Sequence, residues 1–127
     1  MRPLDVLVLG EEAEVAGEIA DGLALDGVAC HVAGSAAEAL ALVAKAAGAI
    51  GVVVTDIRLP GKDGHALAER LAGLPAERSV ELVFVTGPAE PAEIGGAVLR
   101  RPFRWAEIKA VLGAAMRRAA ARREELG

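Results

Sequence analysis

Short apolar runs alternate with amphipathic segments along most of the chain, a pattern typical of folds that alternate strands with helices. The runs DVLVL at residues 5–9 and VELVFVT at residues 80–86 are too short for helices and suit buried parallel strands. Three valines beginning at Val52 predict another buried strand, which ends at Thr55 and Asp56. Two further strands are predicted at the alternating Val28, Cys30 and Val32 and at residues 97–99.

The segments between these strands carry apolar residues at helical spacing. Apolar side chains recur every four positions in residues 14–26, which predicts a first helix. Ser35 and Glu38 form a capping-box pattern that starts a second helix, which runs to about residue 48. A short third helix is predicted at residues 65–72, before Leu74 and Pro75 break it.

A long last helix is predicted from Trp105 onward. Its apolar stripe consists of Ile108, Val111, Leu112 and Met116. The following residues 117–127, RRAAARREELG, extend beyond this stripe, so we expect them to project into solvent. We also expect Trp105 to pack the start of this helix against the sheet.

The strict alternation of strands and helices up to Thr86 predicts an α/β fold in which parallel strands are joined by right-handed crossovers. The rhythm then changes. The segment GPAEPAEIGG, residues 87–96, has two prolines and three glycines, so we expect at most one helical turn there. We expect one domain over residues 1–127, with a core at about residues 4–116 and a last helix that extends to about residue 126.

Composition and charge narrow the class of protein. The chain has 127 residues, of which 54% are apolar, and it contains one cysteine, Cys30, so neither an internal disulfide nor a cysteine-based zinc site is expected. No apolar run reaches the roughly 18 residues of a membrane span, and we expect a soluble, cytoplasmic protein. Residues 1–57 carry nine acids and two bases, whereas residues 98–123 carry eight bases and one acid. The basic helix lacks interleaved aromatic residues, so nucleic-acid binding is not expected.

Charged and polar residues follow the predicted strands at the edge where open α/β sheets bind ligands. They are Glu11, Glu12, Asp56, Thr86 and Arg101. Carboxylates on neighbouring strand ends repel one another and favour a divalent cation, for which oxygen ligands indicate magnesium. A hydroxyl and a guanidinium can bind phosphoryl oxygens, and Asp56 would be the nucleophile. An aspartate that only caps a helix, a threonine that only favours β-structure and an arginine that only pairs with an acid remain alternatives.

The segments TDIRLPGKDG, VTGPAE and LRRPF resemble the phosphoacceptor loop, the switch threonine and the Lys-Pro-Phe element of response regulator receiver domains. This resemblance runs from about Leu4 to Met116. It implies a flavodoxin-like (βα)5 three-layer sandwich with strand order 2-1-3-4-5, whose fourth helix is reduced or disordered here. It also implies a signalling module rather than an enzyme.

The resemblance assigns roles to single residues. Asp56 would accept a phosphoryl group from a sensor histidine kinase or a histidine phosphotransfer protein. Magnesium would be held by Glu11, by Asp56 and by the backbone carbonyl of Arg58, with Glu12 as a candidate additional ligand. Thr86 and Arg101 would contact the phosphoryl group. The side chains that would tune water access are Arg58 and Pro88.

Three departures from the family pattern bear on this chemistry. Gly10 stands where a second acid is usual, and Arg101 stands where the family has lysine, which presents an ammonium rather than a planar fork. Val98 stands at the position of the aromatic switch. Signalling could instead use residues 87–96, which we expect to be mobile in the free protein and ordered after Asp56 is modified.

Several readings remain open at this stage. With the fourth helix reduced, Ile108, Leu112 and Met116 would have an uncovered edge, which predicts a homodimer through the face of the fourth strand, the fifth strand and the last helix. Two alternatives to the receiver are a pseudo-receiver that binds partners without phosphorylation and a small flavodoxin-like nucleotide-binding enzyme. The chain has no glycine-rich phosphate loop after its first predicted strand, which argues against the nucleotide-binding enzyme. The two histidines, His31 and His65, are expected to play no part.

Overall fold

The computed structural model describes residues 4–9, 13–46, 48–56, 69–75, 78–86, 97–100 and 104–124. A helix α3 is described at residues 69–72. The other elements are β1 (Asp5–Leu9), α1 (Ala13–Leu25), β2 (Cys30–Ala33), α2 (Ala36–Lys45), β3 (Ile50–Asp56), β4 (Glu81–Thr86), β5 (Ala97–Arg100) and α4 (Trp105–Glu124).

The five strands form one parallel sheet in the order β2-β1-β3-β4-β5. The predicted α/β class and strand order are therefore confirmed, including the brief fifth strand. β1 and β3 are central and read as almost continuous apolar runs because both of their faces are covered. The register between β1 and β3 shifts after Asp5, so that Asp5 is opposite Ile50 while Val6 is opposite Val52.

Two hydrophobic clusters, one on each face of the sheet, give the fold its three layers. On one face, strand residues pack with α1 and α4 through Ile19, Leu23, Ile108 and Leu112. On the other face, strand residues pack with α2 and α3 through Ala39, Val43 and Leu71. Because successive side chains of a strand point to opposite faces, a single strand such as β1 supplies both clusters.

The ends of the first two helices follow from local chemistry. The Ser35 hydroxyl accepts a hydrogen bond from the Glu38 backbone N–H at 3.1 Å, as the capping pattern predicts, and the Glu38 carboxylate accepts one from the Gly34 N–H at 3.2 Å. Gly27 and Gly48 have φ values of 77° and 94° after α1 and α2, a backbone region that favours glycine. The predicted boundaries of α1 and α2 hold to within about three residues.

The carboxyl-terminal part of α4 does not project into solvent, so that prediction is wrong as far as residue 123. Ala115 and Ala119 are 0% and 1% exposed, and Arg123 donates hydrogen bonds to backbone carbonyls at the amino ends of the strands. After Leu112 the buried stripe of α4 continues through alanines. Because alanine is small, these positions do not stand out in the sequence as a stripe of large apolar side chains.

The predicted uncovered edge on α4 is also wrong for two of its three residues. Ile108 is 6% exposed and Leu112 is 1% exposed, because the chain's own sheet covers them. Met116 is half-buried against the same cluster. The dimer itself stays a prediction, but these two side chains do not supply its surface.

Within the described residues, no helix is long and apolar enough to span a membrane. Residues 87–96, which carry the predicted reduced fourth helix and the proposed ordering loop, lie outside the described residues.

Candidate functional site

Asp56 and Thr86 lie at the carboxyl ends of adjacent parallel strands. Asp56 is the last residue of β3 and is in register with Val85, so that Thr86 is one position further along β4. Neighbouring strands are about 4.8 Å apart, which brings the two backbones together at one edge of the sheet. The predicted placement of the two residues is confirmed, whereas their chemical roles stay predictions.

The fifth strand extends this edge. Thr86 is in register with Arg100, the last residue of β5, and Arg101 follows it in sequence. Val98 lies in β5 opposite Phe84 of β4. The remaining predicted site residues lie outside the described residues: Gly10, Glu11, Glu12, Arg58, Pro88 and Arg101.

The strand residues that precede Asp56 and Thr86 are buried and tightly packed. Thr55 is fully buried, and Leu9, which is opposite it on β1, is 2% exposed. Phe84, opposite Thr55 on β4, is the largest fully buried side chain in the described part of the chain. Close-packed interiors deform little, so the strand ends are held in a fixed arrangement. This gives the loops that follow Asp56 and Thr86 rigid starting points.

A contact between His31 and Asp5, at the amino end of β1, was not predicted from the sequence. His31 Nε2 lies 3.0 Å from Asp5 Oδ2, and the Asp5 side chain is 6% exposed. His31 therefore partners a buried carboxylate, a contact that the sequence did not predict. Asp5 begins β1, whereas the candidate site is at the carboxyl ends of the strands. The sequence offered a weak signal, an acid inside an apolar strand.

The bases of α4 are mostly engaged by partners within the chain. Lys109 Nζ lies 3.4 Å from Asp26 Oδ2 on the loop after α1. Arg118 and Arg122 both pair with Glu81, and Arg123 donates to backbone carbonyls. The fold thus partly compensates the excess of positive charge that is counted from the sequence.

Two of the predicted magnesium ligands, Glu11 and the carbonyl of Arg58, lie outside the described residues. Among the described residues, no group of three or more His, Cys, Asp or Glu side chains is arranged to hold a metal ion. The predicted donors, Glu11, Asp56 and the Arg58 carbonyl, are all oxygen atoms, which is the donor set that fits Mg²⁺. The ligand set remains a prediction.

A parallel five-stranded sheet in this order, with helices on both faces, defines a doubly wound α/β protein whose strand order reverses between β1 and β3. The sequence model of one family, described as response regulator receiver domain, matches residues 6–99. This match spans well over half of the chain, so the chain belongs to the response regulator receiver domains of two-component signal transduction. No curated protein matches the chain significantly in sequence.

Solved structures agree with this assignment. The response regulator receiver protein from Burkholderia phymatum is 25% identical, with a TM-score of 0.75, and the match covers 89% of this chain and 94% of that one. The signal receiver domain of an HD domain-containing protein from Pseudomonas fluorescens Pf-5 is 22% identical, with a TM-score of 0.81 and coverage of 98% and 94%.

A longer protein shares the same fold over part of its length. NtrX from Brucella abortus is 23% identical with a TM-score of 0.80, and the match covers 96% of this chain but 28% of NtrX. The chain thus corresponds to about a quarter of that protein. The similarities to NtrX and to the Pseudomonas domain concern the fold alone.

Proposed function

We propose that this receiver domain accepts a phosphoryl group on Asp56 from a sensor histidine kinase or a histidine phosphotransfer protein, and that it signals by protein contact in the cytoplasm. The observation that carries the proposal is the position of Asp56 and Thr86 at the ends of adjacent strands in a chain that belongs to the receiver family. The nucleotide-binding enzyme has no observation in its favour.

Phosphoryl transfer requires a nucleophilic carboxylate that is held in place and that the phosphodonor can reach. A carboxylate oxygen of Asp56 would attack the phosphorus of a phosphohistidine, the P–N bond would break and the imidazole would leave, so that an acyl phosphate forms on Asp56. The buried strands beneath Asp56 favour this reaction because a nucleophile on a rigid element loses little freedom when the donor arrives.

Ions around the acyl phosphate would decide how fast it forms. Glu11, Asp56 and the carbonyl of Arg58 would hold Mg²⁺, with Glu12 as an additional ligand in compensation for Gly10. When bound, Mg²⁺ would neutralise negative charge on the transferring phosphoryl group. The hydroxyl of Thr86 and the guanidinium of Arg101 would donate hydrogen bonds to phosphoryl oxygens.

The first prediction tests this site directly. Incubation with Mg²⁺ and a small phosphodonor such as acetyl phosphate should add one phosphoryl group to the wild-type protein, seen as an increase in intact mass. Asp56→Ala should show no increase because it lacks the nucleophile. Omission of Mg²⁺ should reduce the yield by about 10-fold or more if the charge on the donor must be neutralised.

A second candidate, the pseudo-receiver, follows from Gly10 and Arg101, which replace an acid and a lysine of the family pattern. It predicts an unmodified wild-type mass with Mg²⁺ and phosphodonor present. A wild-type protein that folds but gains no mass would therefore contradict phosphorylation at Asp56 and favour a module regulated in another way.

A further inference from the structure

The last turns of α4 contact the amino ends of β3 and β4, on the edge opposite the candidate site. Arg123 Nη2 donates to the carbonyl of Ile50 at 2.9 Å and to that of Ser79 at 2.8 Å, and Nη1 donates to the carbonyl of Gly48. One guanidinium therefore joins the start of β3 to the segment that leads into β4.

An ion-pair group lies beside this guanidinium. Glu81, the first residue of β4, accepts a hydrogen bond from Arg122 Nη2 and lies 3.5 Å from Arg118 Nε. The Glu81 side chain is 12% exposed, whereas those of Arg118 and Arg122 are 48% and 44% exposed. We call Glu81, Arg118, Arg122 and Arg123 the α4 latch.

The latch begins where the large apolar contacts of α4 end. Leu112 is the last large aliphatic side chain that is fully buried in this helix, and Ala115 and Ala119 continue the stripe with almost no exposed surface. Burying an alanine removes much less apolar area from water than burying a leucine. The attachment of the last turns therefore depends mainly on the polar latch.

Three features make this polar attachment weak for its size. The latch has three guanidiniums against one carboxylate, and the pairs of Arg118 and Arg122 are solvent-exposed. Two buried polar atoms within the described residues, Arg123 Nε and Ser79 Oγ, have no hydrogen-bond partner. Burial also lowers the pKa of the Arg123 guanidinium, because its charge is partly removed from water.

We propose that the α4 latch opens as one local unit, which releases the last turns of α4 from the amino ends of β3 and β4 while the sheet and the other helices stay folded. Local openings of this kind occur where buried apolar contacts are few. The latch contains none of the predicted site residues. It connects the end of α4 to the two strands that end in Asp56 and Thr86.

Amide hydrogen exchange read by mass spectrometry tests the latch. In the wild-type protein, peptides covering the end of α4 should exchange faster than peptides covering β1 and the middle of β3, under conditions where the protein is folded. Arg123→Ala should speed exchange at the end of α4 by about 10-fold or more, since the hydrogen bonds that close the latch are lost. Arg123→Lys should give an intermediate rate, because an ammonium cannot bond three carbonyls in the geometry of the guanidinium fork.

Two controls make the outcome decisive. Arg117→Ala, which changes an exposed arginine of the same helix, should leave the exchange rates unchanged. Salt at about 1 M, where the Debye length is about 3 Å, should speed exchange in the wild-type latch and leave the peptides of β1 unchanged.

The proposal is overturned if the end of α4 in the wild-type protein exchanges only at the rate of global unfolding. It is also overturned if Arg117→Ala has the same effect as Arg123→Ala. If Arg123→Ala fails to fold, the wild-type salt series and Arg123→Lys still decide between the two outcomes.

Discussion

At the scale of single residues, partial burial changes the acidity of the Cys30 thiol. Cys30 is half-buried and packs against the cluster between the sheet, α1 and α4. Burial raises the pKa of this thiol from 9.0 to about 11, since the thiolate would lose hydration. The thiolate fraction at neutral pH is therefore smaller than that of an exposed cysteine, which lowers the reactivity of Cys30.

The pH dependence follows from the sign of this shift. Between pH 9 and about pH 11 the folded protein keeps a proton that the unfolded chain loses. The contribution of Cys30 to stability is therefore fully present below pH 9 and is lost as the pH rises toward 11.

Alkylation of Cys30 checks this pKa. At pH 8, iodoacetamide should react with the folded protein about 10- to 100-fold more slowly than with the same chain unfolded in guanidinium chloride, because the thiolate fraction is smaller. The rate for the folded protein should rise with pH toward about 11. Equal rates for folded and unfolded chains at pH 8 would contradict the burial effect.

At the scale of elements, α1 and α4 are joined by an aromatic contact that requires glycine. The ring of Trp105 lies directly over Gly22, where a side-chain methyl group would overlap ring atoms. Lys109 of α4 also forms an ion pair, at 3.4 Å, with Asp26 on the loop that follows α1. The sequence predicted that Trp105 packs the start of the last helix against the sheet, whereas its contact with Gly22 of α1 required the fold.

Glycine substitutions in α1 measure this contact. Gly22→Ala should lower the free energy of unfolding by about 1–3 kcal/mol, because the methyl group displaces the Trp105 ring by more than the gain in helix preference offsets. Gly17→Ala is the matched control. It lies in the same helix with nothing within 4 Å of the added methyl group, so it should raise stability by up to about 1 kcal/mol.

Chemical denaturation of both variants provides the comparison. A shift of the tryptophan emission in Gly22→Ala would report the moved ring, since Trp105 is the only tryptophan of the chain. Equal stabilisation by both substitutions would mean that the ring has room to move aside.

At the scale of the whole molecule, α4 completes the core on one face of the sheet. Leu112 is 1% exposed and belongs to the cluster that joins both helices of this face to four of the five strands. The largest exposed apolar side chain in the described residues is Leu25, at the end of α1, with 89% exposure. These two leucines distinguish packing within the chain from packing between chains.

Leu112→Ala should lower the free energy of unfolding by about 2–5 kcal/mol, because it leaves a cavity in the core. It should not change the oligomeric state, measured as the molar mass in solution. Leu25→Ala should change stability by no more than about 0.5 kcal/mol. Denaturation together with light scattering provides both measurements. A Leu112→Ala protein of unchanged stability that dissociates from a dimer to a monomer would restore the interface role that was predicted from the sequence.

Local patterns in the sequence were sufficient to determine the order of elements, the parallel sheet and the strand-end positions of Asp56 and Thr86. Periods of two and 3.6 residues, caps and turn residues act over a few neighbouring positions, so they can be read without a fold. The family motifs extended this reading to the remaining site residues, most of which lie outside the described ranges.

Only the tertiary structure decided which distant groups meet. Arg123 donates to the carbonyl of Gly48, 75 positions earlier, and Arg122 pairs with Glu81, 41 positions earlier. His31 on β2 contacts Asp5 on the adjacent strand β1. No periodicity encodes such pairs, because they depend on strand register and helix placement. The end of α4 was therefore expected in solvent, although the folded chain supplies carbonyls and a carboxylate that hold it against the sheet.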